Sequence, residues 1–297
     1  MRLIESFCKE NSIFYKKNES LAKYTTLRIG GKAEIITFPD EEKIQALLMV
    51  IKNEGIPYYV IGGGSNLLVS DKGFRGVIIN TKKMESIRVD GLNLIVSGGA
   101  KLGKVIAVLV KKGLSGMEGL VGIPGSVGGA IKGNAGSFGY EIKDCLKELE
   151  IIDKDLKIKI LKKQDINFKY RSSGLSEEYI IKTAKFNLIK DDGQGFKRMK
   201  NFLEKKTKTQ PLRDRSAGCV FKNPDGNSAG YLIDKAGLKG LRVGDIVVSS
   251  IHANYFINVG RGKASDFLRL MEIVKEKVFK IFSIELQPEI KLLGGSF

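Results

Sequence analysis

The sequence predicts an α+β fold. Three observations point to it: helical periodicities and hairpin signals are interspersed without a regular strand–helix repeat, two glycine-rich stretches each break an apolar run, and no internal repeat or low-complexity tract is present. Residues 40–53 are expected to form a helix, with Asp40 as N-cap and Ile44, Leu47, Leu48 and Ile51 on one face. Gly55 closes it and Pro57 prevents continuation. The flanking apolar runs 35–38 and 58–61 read as strands, giving a β-α-β unit with a glycine loop at its exit. Residues 77–80 and 87–96 follow as strands, the latter folded back at Asp90-Gly91. A second helix covers 102–112 and ends at Gly113.

Beyond the second glycine stretch, residues 149–152, 157–160 and 179–189 read as hairpin strands. Asp191-Asp-Gly-Gln-Gly195 reads as a linker. A third unit is expected after it: a basic helix at 196–206, the segment 210–240, and strands at 245–248 and 255–259. A long amphipathic helix follows, capped by Ser265, with Phe267, Leu270, Met271, Val274, Val278 and Ile281 on one face. The strand 284–293 ends the chain's regular structure. The expected domains are 1–193, in two lobes divided near 80–85, and 194–297.

With 297 residues and 42% apolar content the chain has room for two or three compact units. No apolar run approaches the ~20 residues of a membrane span. The start, Met1-Arg-Leu-Ile-Glu-Ser-Phe-Cys-Lys-Glu10, is too polar for a signal-peptide core, so a cytoplasmic protein without membrane partners is expected. Cys8, Cys145 and Cys219 are scattered, which argues against a disulfide framework or a zinc site, and the single histidine, His252, excludes a multi-histidine metal centre. The net charge of +17 comes from lysines dispersed among Glu and Asp. It reads as solvated lysine faces rather than a nucleic-acid surface, and a field that draws in phosphorylated substrates is the functional reading that fits it.

Gly62-Gly-Gly-Ser-Asn66 and Gly122-Ile-Pro-Gly-Ser-Val-Gly-Gly129, continuing to Asn134-Ala-Gly136, carry the strongest chemical signal. Glycine lets main chain approach a ligand closely, and consecutive bare N–H groups form an anion-binding concavity. Two such loops suggest two phosphates, hence a dinucleotide. Neither Gly-x-Gly-x-x-Gly nor the Walker pattern occurs, which excludes an ordinary Rossmann domain or P-loop.

The resemblance lies in Tyr24-Thr-Thr-Leu-Arg-Ile-Gly-Gly31, Ile61-Gly-Gly-Gly-Ser-Asn-Leu-Leu68, Gly122-Ile-Pro-Gly-Ser-Val-Gly-Gly-Ala130, Asn134-Ala-Gly136, Tyr170-Arg-Ser-Ser173, Ser216-Ala-Gly-Cys-Val-Phe-Lys-Asn-Pro224 and Gln287-Pro-Glu-Ile290. In this order and spacing they are similar to the UDP-N-acetylenolpyruvoylglucosamine reductase (MurB) family, in its shorter second-type form. The resemblance implies a two-lobed flavin-binding domain of the vanillyl-alcohol-oxidase (PCMH) type plus a C-terminal α+β substrate domain. It implies FAD and NADPH as cofactors and a small-molecule substrate, UDP-N-acetylglucosamine enolpyruvate, reduced to UDP-N-acetylmuramate for peptidoglycan. A monomer is expected. FAD contacts are carried over to Arg28, Gly62, Gly63, Gly64, Ser65, Asn66, Gly122, Ile123, Pro124, Gly125, Ser126, Gly128, Gly129, Asn134, Ala135 and Gly136. Turn capping is the structural alternative for Ser65, Asn66 and Ser126.

The reaction sends hydride from NADPH through FAD to the enolpyruvyl group, so charge stabilisation and a positioned acid are required. Cys219 stands where the family motif has serine or cysteine and is the expected proton donor; a small buried hydrophobe is the alternative. Arg171 matches an arginine suited to pairing two-pronged with the substrate carboxylate. Glu289 matches a glutamate expected to orient substrate or to carry a raised pKa. Tyr170, Arg213, Lys222, Asn223, His252 and Asn254 are candidates for substrate contact, with a structural role the alternative for His252. Arg215 replaces the usual proline before Ser-Ala-Gly, which suggests a more mobile loop or an added anion contact, and Lys132 replaces an apolar residue. A sugar or alcohol oxidase of the same flavin fold is the competing enzyme reading, and a nucleic-acid-binding protein the competing non-enzyme one.

Overall fold

A computed structural model describes residues 1–295. The chain packs as two compact units, neither of them contiguous: residues 1–17, 35–63 and 76–206 form one, and residues 18–34, 64–75 and 207–297 the other. The mixed α+β character expected from the sequence is present throughout.

The first unit has two cores. One lies on a four-stranded sheet in the order Phe14–Ser20, Lys32–Phe38, Phe74–Asn80, Tyr58–Ile61. Phe74–Asn80 thus intervenes between the two strands of the β-α-β unit and runs parallel to Tyr58–Ile61. Against this sheet pack the helices Arg2–Glu10 and Ile44–Asn53, through Ile4, Cys8, Ile44, Leu47, Leu48 and Ile51. The second helix begins later than its sequence suggests. Asp40 Oδ1 accepts from the amide of Lys43 at 3.1 Å and closes a turn ahead of the helix rather than capping it.

The other core lies under a five-stranded antiparallel sheet, ordered Ile158–Lys162, Leu146–Ile152, Ile180–Asn187, Asn93–Ser97, Ile87–Asp90. The Asp90-Gly91 turn joins the last two strands, with Gly91 at φ +54°. Helices Leu102–Lys111 and Val127–Lys132 cover this core. The latter helix lies inside the second glycine stretch, where a loop was expected.

Helix Gly195–Thr209 was expected to open the C-terminal unit, yet through Lys206 it packs with the first. Arg198 is the reason. Its guanidinium reaches Glu118 at 3.0 Å, Asp191 at 2.9 Å and Asp192 at 2.7 Å, so the expected linker carboxylates are pinned to the helix that follows them. Burial opposes the charge on Glu118, but hydrogen bonds from Ser115, the Gly116 amide and Arg198 outweigh it and hold the carboxyl below its ordinary range.

In the second unit, helix Ala264–Phe282 buries Phe267, Leu270, Met271, Val274 and Val278 against Leu27, Ile29, Leu68, Phe221 and Phe256. Ile281 is exposed instead, and Phe282 takes the core-facing place in the last turn. Ser265 is not the cap. Asp71 accepts from the amides of Ala264 (2.8 Å) and Ser265 (3.1 Å) and from the Ser265 hydroxyl. A three-stranded sheet runs Arg242–Val243, Ile246–Val248, Phe256–Asn258. The expected terminal strand is shorter, Lys291–Leu293, and pairs in parallel with Leu67–Val69. Helix Ala229–Lys235, unforeseen, starts where Ser228 Oγ accepts from Tyr231 N and Asn223 Oδ1 from Ala229 N.

Candidate functional site

In the first unit the two glycine stretches meet. A Cβ on Gly62 would lie 2.2 Å from Ser126 Oγ, and one on Gly63 would lie 2.6 Å from the Cα of Gly125. Main chain packs on main chain, and any side chain at Gly63 forces the loops apart. Gly122 (φ +77°) and Gly125 (φ +119°) use backbone that L residues rarely adopt. The expected row of bare amides is only partly present. Ile123 N donates to Leu120 O, Val127 N to Ala100 O, Gly128 N to Gly98 O and Gly129 N to Ser126 Oγ. Ser126 is therefore a helix cap, buried to 5% exposure. The short helix it starts needs these amides for its own first turn.

Downstream, Asn134 is fully buried in left-handed backbone, φ +40°. Its Nδ2 donates to Glu141 Oε1 and Lys169 O, each at 3.1 Å. Its Oδ1 is buried with no hydrogen-bond partner among the described residues. Ala135 N donates to Ala130 O, and Gly136 pairs with Glu141. Gly136 O accepts from Arg171 Nη1 at 3.3 Å. Tyr170 is exposed, with the Arg171 guanidinium carbon 5.2 Å from its ring centroid. Lys132 Nζ donates to Glu177 O at 2.7 Å.

Lys206, which the sequence does not set apart from its neighbours, is 3% exposed. Its Nζ donates to Val121 O at 2.8 Å, directly before Gly122, and lies 5.6 Å from the Phe138 ring centroid. Burial, with the Arg171 charge adding to it, pushes its pKa down to about 8. Only the fold could single it out, because the burial comes from packing.

In the second unit the Cys219 and Glu289 segments run side by side. Glu289 N donates to Val220 O at 2.8 Å, and Lys222 N to Gln287 O at 2.8 Å. Cys219 is half-buried and forms a β-bridge with Tyr255. Burial pushes the other two thiols up, Cys8 to about 11 and Cys145 to about 12, as suits inert packing.

The remaining predicted residues divide between surface and scaffold. Arg213 is exposed, and Lys222 is half-buried. Asn254, expected at substrate, is 1% exposed and spends its whole amide on the Phe221 backbone. Asn223 serves the helix start described above. His252 Nδ1 accepts from Asn254 N at 3.3 Å, and burial lowers its pKa, which favours the neutral imidazole. Asn66 Nδ2 donates to Glu289 O and its carbonyl accepts from Lys291 N, which holds the final strand. Ser65 is half-buried beside it. Gly64 (φ +61°) accepts from Thr26 N through its carbonyl. Arg28 (φ +58°) donates to Lys23 O. Arg215, in place of the usual proline, donates by Nη1 to Gly260 O and accepts through its carbonyl from Asn258 N. No helix among the described residues is long and apolar enough to cross a membrane.

Residues 33–161 match the FAD binding domain model, and residues 210–293 match the C-terminal domain model of UDP-N-acetylenolpyruvoylglucosamine reductase. A glucooligosaccharide oxidase from Acremonium strictum shares the fold alone, at TM-score 0.53 and 15% identity over 93% of this chain and 57% of its own. The match over residues 33–161 thus marks a flavoprotein oxidoreductase with an FAD-binding domain. Two curated relatives named UDP-N-acetylenolpyruvoylglucosamine reductase are similar along nearly their whole lengths. The protein of Carboxydothermus hydrogenoformans is 42% identical over 99% of this chain and 98% of its own, and that of Caldicellulosiruptor bescii 40% over 98% and 94%. The crystal structure of the Thermus caldophilus reductase superposes at TM-score 0.82 with 34% identity, covering 95% of this chain and 99% of that one. The chain belongs to the UDP-N-acetylenolpyruvoylglucosamine reductase family.

Proposed function

We propose that this protein reduces the enolpyruvyl ether of UDP-N-acetylglucosamine to the lactyl ether of UDP-N-acetylmuramate, with NADPH as reductant and FAD as carrier. The observation that carries this reading is the near-full-length similarity to reductases of that name, with the Cys219 and Glu289 segments hydrogen-bonded to each other. Residues 1–193 are taken to bind FAD and residues 194–297 the sugar nucleotide. The residues of the first unit fit a flavin dinucleotide in that the two glycine stretches meet, Gly63 against Gly125, where no side chain stands between a ligand and main chain. Held by the loops around Gly63 and Gly125, FAD would supply hydride transfer between NADPH and the terminal enolpyruvyl carbon.

Arg171 pairs with the substrate carboxylate as negative charge builds on it. The Cys219 thiol gives its proton to the carbon next to that carboxylate, which completes the reduction. Glu289 orients the substrate through a hydrogen bond. Tyr170, Arg213 and Lys222 are taken to contact the sugar nucleotide, the Asn223 side chain being engaged at its helix start. The same reading takes the working unit to be a cytoplasmic monomer.

The test is an anaerobic absorption spectrum of the purified protein, first alone, then with NADPH, then with the enolpyruvyl sugar nucleotide. A flavin band that bleaches with NADPH and returns with the sugar nucleotide supports the reading. A band that returns only with dioxygen moves the protein to the oxidases.

A further inference from the structure

Arg171 occupies an unusual position. Lys169 and Ser172 exchange main-chain hydrogen bonds, Lys169 N to Ser172 O at 2.8 Å and Ser172 N to Lys169 O at 3.1 Å. Tyr170 and Arg171 are the central pair of this tight turn. Arg171 is its third residue and sits at φ +56°, a place normally left to Gly or Asn. Non-glycine residues held in such backbone persist where the surroundings over-determine them.

Asn134 supplies much of that determination. Its Nδ2 donates to the carbonyl of Lys169, the first residue of the turn. Two residues after Asn134, Gly136 O receives the Arg171 guanidinium. One short segment therefore grips the turn at its base and the arginine at its tip. A cofactor contact through Nδ2 would have to break the bond to Lys169 or that to Glu141.

We propose that Asn134 is a positioning residue for Arg171, setting the Tyr170–Arg171 turn so that the guanidinium is aimed before substrate arrives. This rests on the reading of Arg171 as partner of the substrate carboxylate. Asn134→Gly is the first variant, because glycine accepts φ +40° while the side chain that grips Lys169 O is lost. The holoenzyme is titrated with UDP-N-acetylglucosamine enolpyruvate by its flavin absorbance, alongside Arg171→Ala and the double variant. FAD affinity is measured separately, and the Arg171 guanidinium is followed by NMR without ligand.

The expected result is FAD affinity within about twofold of wild type and sugar-nucleotide affinity down about tenfold, with Arg171→Ala adding little on top. The guanidinium resonance shifts or broadens in Asn134→Gly before any ligand is added. Lost FAD affinity with an unmoved guanidinium signal overturns the proposal, and so do penalties that multiply independently. Should Asn134→Gly not fold, Asn134→Asp undergoes the same comparison. A wild-type holoenzyme that retains FAD and ignores the sugar nucleotide defeats the functional reading; the guanidinium signal still decides whether Asn134 fixes the turn.

Discussion

Asn254 holds Phe221 by both polar groups of its backbone: Oδ1 accepts from Phe221 N at 2.9 Å, and Nδ2 donates to Phe221 O at 2.7 Å. Phe221 is fully buried two residues after Cys219, so this clasp fixes the segment that carries the thiol. Truncation to Asn254→Ala leaves a buried donor and a buried acceptor unpaired. A loss of about 2–4 kcal/mol of unfolding free energy is expected. Urea denaturation of the holoprotein measures it, and a loss below about 0.5 kcal/mol contradicts the clasp.

Cys219→Ala removes the proposed acid and little volume. Flavin bleaching by NADPH is expected to continue at near wild-type rate, while the step that consumes the sugar nucleotide slows by about 10²–10⁴-fold. Cys219→Ser restores part of that loss, because a hydroxyl still carries a transferable proton. Stopped-flow traces of the two half-reactions decide it, and equal slowing of both defeats the donor assignment.

The contact between glycine loops gives a sharper test of cofactor binding than any single contact does. Gly63→Ala places a methyl 2.6 Å from the Gly125 Cα, inside any permitted approach. FAD content after purification is expected to collapse in this variant. Gly55→Asn serves as its control: Gly55 has φ +62° and no atom within 4 Å of a Cβ, and asparagine tolerates such backbone. Normal FAD content in Gly63→Ala counts against the loops as a cofactor site.

Lys206 predicts a pH dependence whose sign follows from its burial. Its folded pKa, about 8, lies below the ordinary lysine value of ~10.4. Between these values the unfolded chain holds a proton that the folded chain has released, so this group raises stability as pH climbs from about 8 towards ~10.4. Below about 8 the cost of keeping the ammonium buried is present in full. Lys206→Met removes that slope. Denaturation midpoints at pH 7.5 and pH 10 for both proteins give the answer, and parallel changes in the two dismiss it.

What the sequence discloses and what it conceals follow a physical line. Helix 264–282 is legible from its apolar period, but its cap is not, because Asp71 lies 193 residues from Ala264. The glycine loops are legible as backbone left without side chains, yet the sequence does not show that Gly63 lies against Gly125. Lys206 reads like Lys205 beside it until packing buries one of them. Asn254 and Asn223 were expected to contact substrate; in the fold both hydrogen-bond neighbouring backbone, a role that side-chain chemistry alone does not distinguish from binding. Cys219 and Glu289 were singled out by family motifs, and their adjacency comes from the hydrogen bond of Glu289 N to Val220 O.

The pairing of Lys291–Leu293 with Leu67–Val69 has a consequence for synthesis on the ribosome. Residues 64–75 emerge early, and both their strand partner and the helix start that Asp71 serves are translated far later. The nascent chain must carry an open edge of Leu67-Leu68-Val69 through most of elongation, and a product that stops short of Lys291 never covers it. Premature termination near the 3′ end of the message should therefore give a sticky, chaperone-dependent polypeptide rather than a slightly shortened enzyme.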